Sequence, residues 1–195
     1  MKRVFVLSVL SFVIVTASFG TDLELGFGGG INYQGTFNMK WKESVEHEWG
    51  TINNNGFGAF LFFDATYAEF SLFFNFSRHT WSFDEDQAND YSGTENAFTF
   101  EMELLGKYPF YFDSFVLFPL LGISYETPFW GGGMGIMAGI GADFNLTERL
   151  YLRGEILYGI RLIQVGIGKL YDSRPGHIPR IKLGIGYSFM GFKTR

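Results

Sequence analysis

The chain has 195 residues, with 15 basic against 20 acidic side chains, a net charge of −5 and no cysteine. The missing cysteines exclude disulfides, a thiol nucleophile and a cysteine-ligated metal, and an acidic chain without a basic stripe is a poor partner for nucleic acid. Aromatics at 19% speak against disorder, and beyond the N-terminus no run approaches the about 18 apolar residues of a membrane-spanning helix, so an all-β chain of one domain remains.

The first element is a leader. Lys2 and Arg3 precede the apolar run VFVLSVLSFVIV from Val4 to Val15, followed by the small and mixed residues TASFG. This is the three-part layout of a secretory signal peptide, and its apolar core is too short to span a bilayer. Residues 1–20 are therefore expected to be removed, with cleavage after Gly20 or, second, after Ala17. The mature domain is then 21–195, and without Lys2 and Arg3 its net charge is about −7.

From there on the pattern has a period of two. Leu23, Leu25, Phe27, Gly29, Ile31, Tyr33 and Phe37 share one parity, opposite Glu24, Gly26, Gly28, Gly30, Asn32, Gln34 and Thr36. GFGAFLFF (56–63) is apolar on both parities and takes no face assignment. Ala68, Phe70, Leu72, Phe74 and Phe76 oppose Glu69, Ser71, Asn75, Ser77 and His79, with Phe73 an exception. In AFTFEMELLGKY (97–108), Phe98, Phe100, Met102, Leu104 and Tyr108 oppose Thr99, Glu101, Glu103 and Lys107.

FVLFPLLGISY (115–125) follows the breakers Pro109 and Asp113 and contains Pro119, an unusual residue in a paired strand. Met134, Ile136, Ala138, Ile140, Ala142 and Phe144 then oppose Gly135, Gly139, Gly141 and Asp143. Leu150, Leu152, Ile156, Tyr158 and Ile160 oppose Tyr151, Arg153, Glu155 and Arg161. Ile181, Leu183, Ile185, Tyr187 and Phe189 oppose Arg180, Lys182, Gly184, Gly186 and Ser188. Successive side chains of a strand point to opposite faces, so these segments are eight amphipathic strands.

The connections alternate in length. Segments 38–55, 78–96 and 162–179 read as long and polar, 126–133 as modest, and 64–66, 109–114 and 145–149 as short. Long loops at one end and tight turns at the other characterise outer-membrane barrels, with the long loops outside the cell. The face opposite the greasy stripe is rich in glycine with a few long charged residues, which suits the cramped interior of an eight-stranded barrel better than a hydrated sandwich face. Trp41, Trp49, Trp81 and Trp130 fall near the long connections. Phe63, Tyr67, Tyr108, Phe110, Tyr111, Phe112, Phe144 and Phe189 fall at the short ones, as membrane-interface belts require.

With its signal peptide, eight amphipathic strands, Gly-rich first strand LELGFGGG and final strand IKLGIGYSF, the chain resembles the small outer-membrane barrels typified by the OmpA membrane domain, OmpX and OmpW. The resemblance implies an antiparallel up-and-down transmembrane β-barrel in the bacterial outer membrane, contacting lipid and inserted by the outer-membrane assembly machinery. One departure is that such barrels commonly end on an aromatic residue, whereas here Phe189 and Phe192 are followed by Lys193, Thr194 and Arg195.

Facing inward, six acids (Glu24, Glu69, Glu101, Glu103, Asp143, Glu155) would meet five bases (Lys107, Arg153, Arg161, Arg180, Lys182). Their near balance predicts internal pairing that plugs the barrel. By height, Arg153 is expected near Glu24, Glu69, Glu103 and Glu155, with Arg180 and Lys182 higher, near Glu101. His47, His79 and His177 all lie toward the outer end, but their spacing fits no metal motif. Neither HTW at His79 nor HIP at His177 resembles the His-x-Ser arrangement of the outer-membrane deacylases, so no catalytic residue, cofactor or metal is expected.

Acids of the second loop (Asp84, Glu85, Asp86, Asp90, Glu95) and bases of the fourth (Lys169, Arg174) leave a lid between them conceivable, with hydrated loops the plainer reading. The expected function is that of an envelope structural or surface-interaction protein acting through its outer loops. The alternative is an OmpW-like passage for small hydrophobic molecules, using mouth aromatics such as Phe83, Phe129 and Trp130; a lipid-modifying enzyme ranks third.

Overall fold

A computed structural model describes residues 24–42, 50–83, 92–127, 131–166, 169–170, 172–174 and 176–189; the expected leader and the second-loop acids Asp84, Glu85, Asp86 and Asp90 fall outside them. Eight long strands are present: β1 (Leu25–Lys42), β2 (Gly50–Ala65), β3 (Ala68–Phe83), β4 (Ser92–Lys107), β5 (Phe115–Thr127), β6 (Gly131–Asn145), β7 (Leu150–Gly166) and β8 (Gly176–Ser188). Short pieces at Phe110–Tyr111, Lys169–Leu170 and Asp172–Arg174 pair with β5, β7 and β1 respectively. All pairings are antiparallel between chain neighbours, and β1 also pairs with β8, from Gly26 opposite Ser188 to Phe37 opposite His177. The sheet is closed, so no edge is left unpaired.

One circuit along paired residues shows the stagger that closure demands. From Glu103 the path runs through Ser71, Phe62 and Gly28 in one direction, and through Ser124, Gly135, Arg161 and Gly176 in the other. The two paths reach β1 roughly ten residues apart, a shear that tilts the strands and leaves room inside for side chains only.

The greasy parity faces outward on every strand where the sequence assigns one. Phe57 is 72% exposed, Ile31 67%, Leu121 63% and Ile156 61%, and the apolar surface continues around the barrel through Phe76, Phe98, Ile140 and Leu183. Soluble proteins do not expose an uninterrupted apolar belt of this extent, whereas lipid requires one. At the short-turn end it closes in aromatics: Phe112 stacks on Phe115 with centroids 4.5 Å apart, Phe27 on Phe189 at 5.4 Å, and Tyr108 lies edge-on to Phe110 at 5.3 Å. The side chains of Trp41, Trp49, Trp81 and Trp130 lie outside the described set.

Closure also settles what periodicity left open. In β2 the even positions face inward, burying Phe60 and Phe62 in the lumen while Phe57, Leu61 and Phe63 face lipid. Phe73 is likewise fully buried inside. Pro119 sits at a gap in the ladder, because β5 pairs with β4 up to Leu120 opposite Lys107 and with the short piece from Leu117 opposite Phe110. A missing N–H is tolerated where regular pairing is interrupted.

The long connections are shorter than expected, since β1, β2, β3 and β4 continue well into segments 38–55 and 78–96, and β5 and β6 take up most of 126–133. At that end the outward faces of β2, β3 and β4 turn polar, with Asn53, Thr80, Ser82, Ser92 and Thr94 lining an external groove of about 450 Å³ above the apolar band.

Candidate functional site

The lumen holds the chemistry. Its short-turn half is organised around Arg153 on β7, whose guanidinium is fully buried. Nε and Nη2 donate to the Asp143 carboxylate at 2.7 and 2.5 Å, Nη1 to Glu69 at 2.6 Å, and Nη2 also to Asp64 at 2.8 Å. Glu155 lies 3.7 Å from Nε. Lys182 on β8 reaches Glu155 at 2.5 Å, Glu69 at 2.6 Å and Glu103 at 3.0 Å. Arg180, one inward position further up β8, donates to Glu101 and Glu103, both at 2.5 Å.

Ser71 donates to Glu69 at 2.7 Å, and Lys107 pairs with Asp64. Several of these bonds cross the barrel's diameter. In a ring of eight strands β7 faces β3, and β8 faces β4, so Arg153–Glu69, Arg180–Glu101 and Lys182–Glu103 join opposite walls.

The lumen aromatics are part of the same construction. The Arg153 guanidinium lies over Phe62 at 4.6 Å and beside Tyr151 and Phe118 at 5.2 Å, while Arg180 lies over Phe73 at 4.5 Å. Desolvated cations gain from aromatic faces, which accounts for apolar rings at lumen positions. Glycines admit them: a Cβ on Gly28 would lie 2.4 Å from the Phe62 ring, and one on Gly186 would lie 2.1 Å from that of Tyr151. Leu105, Val116, Phe118, Leu120, Met137, Leu157 and Ile178 form an apolar wall on β4–β8.

Of the residues singled out in the sequence, Glu69, Glu101, Glu103, Asp143, Arg153, Glu155, Arg180, Lys182 and Lys107 meet in this half of the lumen, though not quite at the expected heights. Glu103 serves Arg180 and Lys182 rather than Arg153. Glu24 lies near the periplasmic rim, where its carboxylate accepts from the Tyr111 hydroxyl at 3.5 Å. Arg161 pairs near the outer end with Glu126.

By sequence Asp64 and Glu126 fall in the connections 64–66 and 126–133, because turn signals adjoin both. Their inward parity, counted from Phe62 and Ser124, would have found them. With these two, the paired lumen groups among the described residues are seven carboxylates and five cations. Carboxylates therefore outnumber cations by two in this set.

The remaining candidates are not brought into this site. Phe129 and Trp130 lie outside the described residues, as does the side chain of Phe83. His47 lies outside as well. His177 faces outward against the Tyr158 hydroxyl, and His79 faces the lumen. No metal-binding group of side chains occurs among the described residues.

A closed barrel of eight long strands, an apolar exterior and a charged interior leave little to choose between architectures. The chain has the fold of a bacterial outer-membrane barrel. A solved structure agrees: OprG from Pseudomonas aeruginosa superposes with a TM-score of 0.52 at 15% identity, over 85% of this chain and 95% of that one. Outer membrane protein W of E. coli gives 0.44 at 13% identity, over 82% and 98%, and neisserial surface protein A gives 0.39 at 11%, over 84% and 97%. No family model and no curated protein matches the sequence. At such identities the likeness concerns the fold alone, and function has to be argued from the site.

Proposed function

We propose that this outer-membrane barrel is a plugged envelope protein, acting as a structural or surface-interaction element through its outer end rather than as a channel or an enzyme. The observation that carries this reading is the set of buried ion pairs across the diameter, Arg153–Glu69, Lys182–Glu103 and Arg180–Glu101, packed against Phe60, Phe62, Phe73 and Phe118. An ion entering from either end meets fixed charges already held in buried ion pairs, and displacing them leaves buried charges unpaired. Lipid surrounds the apolar belt, and insertion falls to the outer-membrane assembly machinery. The hydrophobic-passage reading is weaker, because an apolar solute descending the lumen would lie against a wall of Asn32, Gln34, Asn54, Asn75 and Thr99.

Planar-bilayer recording of the refolded protein tests the plug: no conductance above the bare membrane is expected, and reproducible single-channel steps overturn it. Replacing residues 84–91, between β3 and β4, by a short Gly/Ser linker tests the site of action. The variant is expected to keep the slow gel mobility change on boiling while losing surface-partner binding, since rigid scaffolds tolerate loop exchange.

A further inference from the structure

On β2, β3 and β4 the outward face changes abruptly where the apolar belt ends. Tyr33, Phe57, Phe76 and Phe98 form one paired row across β1–β4, and Phe76 lies edge-on to Phe98 with centroids 6.4 Å apart. The next outward row is Asn55, Arg78 and Asn96; above it stand Asn53, Thr80 and Thr94, then Ser82 and Ser92. Tyr33 bridges belt and polar face, since its hydroxyl donates to Asn55 Oδ1 at 3.1 Å.

The height of each row follows from strand geometry. From Tyr108 to Phe98 the chain rises about 33 Å along β4 and, at a tilt of about 40°, about 25 Å in height, which matches the apolar band of such barrels. The phenylalanine row therefore marks the outer edge of the hydrocarbon. Arg78 stands about 5 Å above that edge, Thr80 and Thr94 about 10 Å, and Ser82 and Ser92 about 15 Å, against a headgroup layer roughly 5 to 7 Å deep. Arg78 thus lies at the level of lipid phosphates, and the hydroxyl rows lie beyond the reach of a simple phospholipid.

Charge singles out the same place. Among the side chains described on the outward faces of the eight strands, Arg78 is the one Lys, Arg, Asp or Glu; it is exposed and forms no ion pair among the described residues. An Arg at this height attracts any anionic lipid, so the rows above it decide the headgroup. They line the external groove of about 450 Å³ with Asn53, Thr80, Ser82, Ser92 and Thr94, all uncharged. Hydroxyls and a carboxamide offer donors and acceptors together, which is what sugar hydroxyls require.

We propose that this face is a docking site for a phosphorylated, sugar-bearing lipid of the outer leaflet. Its acyl chains lie along Phe57, Phe76 and Phe98, a phosphate meets the Arg78 guanidinium, and the sugar occupies the groove. Continuity with the lipid-facing belt and the charge of Arg78 select this occupant. The site depends on the belt facing lipid and is independent of the plugged lumen.

Native mass spectrometry of the refolded protein, released from detergent micelles containing lipid A (an acylated, bisphosphorylated glucosamine disaccharide) or phosphatidylglycerol, tests it. One lipid A is expected to stay bound under activation that strips phosphatidylglycerol. Arg78→Gln should weaken lipid A binding about tenfold, whereas Arg149→Gln, at an exposed turn of the opposite end, should leave it unchanged. Thr80→Val/Thr94→Val keeps shape and strand preference, and should weaken lipid A about tenfold without affecting phosphatidylglycerol. The change of gel mobility on boiling checks that each variant is folded. Equal retention of the two lipids, or parent-like lipid A binding by Arg78→Gln, overturns the site; release of lipid A by excess inorganic phosphate reveals a free-anion site and overturns it too. Conductance of the same preparation keeps the two readings apart: lipid retention by a conducting barrel removes the plug and leaves the site, and a silent barrel without retention does the reverse.

Discussion

The two halves of the lumen are built from the same strands and obey opposite rules. Toward the short turns, long charged side chains are tied to one another: Arg153 joins four carboxylates, Lys182 three, and aromatic rings lie against the cations. Toward the outer end, amides and hydroxyls lie side by side with most of their hydrogen-bonding capacity unspent. The difference shows how a narrow barrel divides its tasks. The inner half fixes the fold through interactions that cannot be broken singly, and the outer half carries polar groups whose removal costs the fold little.

Substitutions that weigh one half against the other test that division. The largest loss is expected at Arg153→Ala, which leaves Asp143 without a cationic partner and takes one of two from Asp64, Glu69 and Glu155; breaking a buried pair costs roughly 3 to 5 kcal/mol, read as a fall in the urea midpoint in micelles. Glu148→Ala, at an exposed turn, should leave that midpoint where it is. A smaller loss follows from Gly186→Ala, whose methyl group enters the space of the Tyr151 ring; overpacking of this kind costs about 1 to 3 kcal/mol. Gly154→Ala is its counterpart, with 3.6 Å to the nearest atom, and should unfold like the parent.

Phe73→Leu keeps apolar volume but removes the ring beneath Arg180, for an expected loss of about 0.5 to 2 kcal/mol in the same measurement. The smallest effect belongs to the upper half: Thr99→Val should shift stability by no more than about 0.5 kcal/mol, because the hydroxyl it removes has no partner to strand. A large loss there would erase the contrast between the halves.

Much of this organisation is legible in the alternation alone. Glu101 and Glu103 share a parity opposite Phe100 and Met102, and once a closed barrel is inferred they can point only inward. Where both parities are apolar, as in GFGAFLFF, the pattern is silent, and the burial of Phe60 and Phe62 emerges only from the pairing of β2 with β1 and β3. Asp64 and Glu126 were hidden for a different reason. Residues near a turn signal read as connection, yet a tilted, sheared barrel carries its strands past the membrane and keeps their inward positions inside the lumen.

What the sequence determined by itself is therefore the two-faced strand, its eightfold repetition and the choice of lipid as the outer solvent, since these depend only on local periodicity and on which residue types share a face. Which carboxylate meets which cation, why phenylalanines enter the lumen, and where the amides collect without partners depend on stagger and on strands that face one another across the barrel. Arg153 and Glu69 are far apart in the chain and sit on opposite walls, and only closure of the sheet brings them within 2.6 Å.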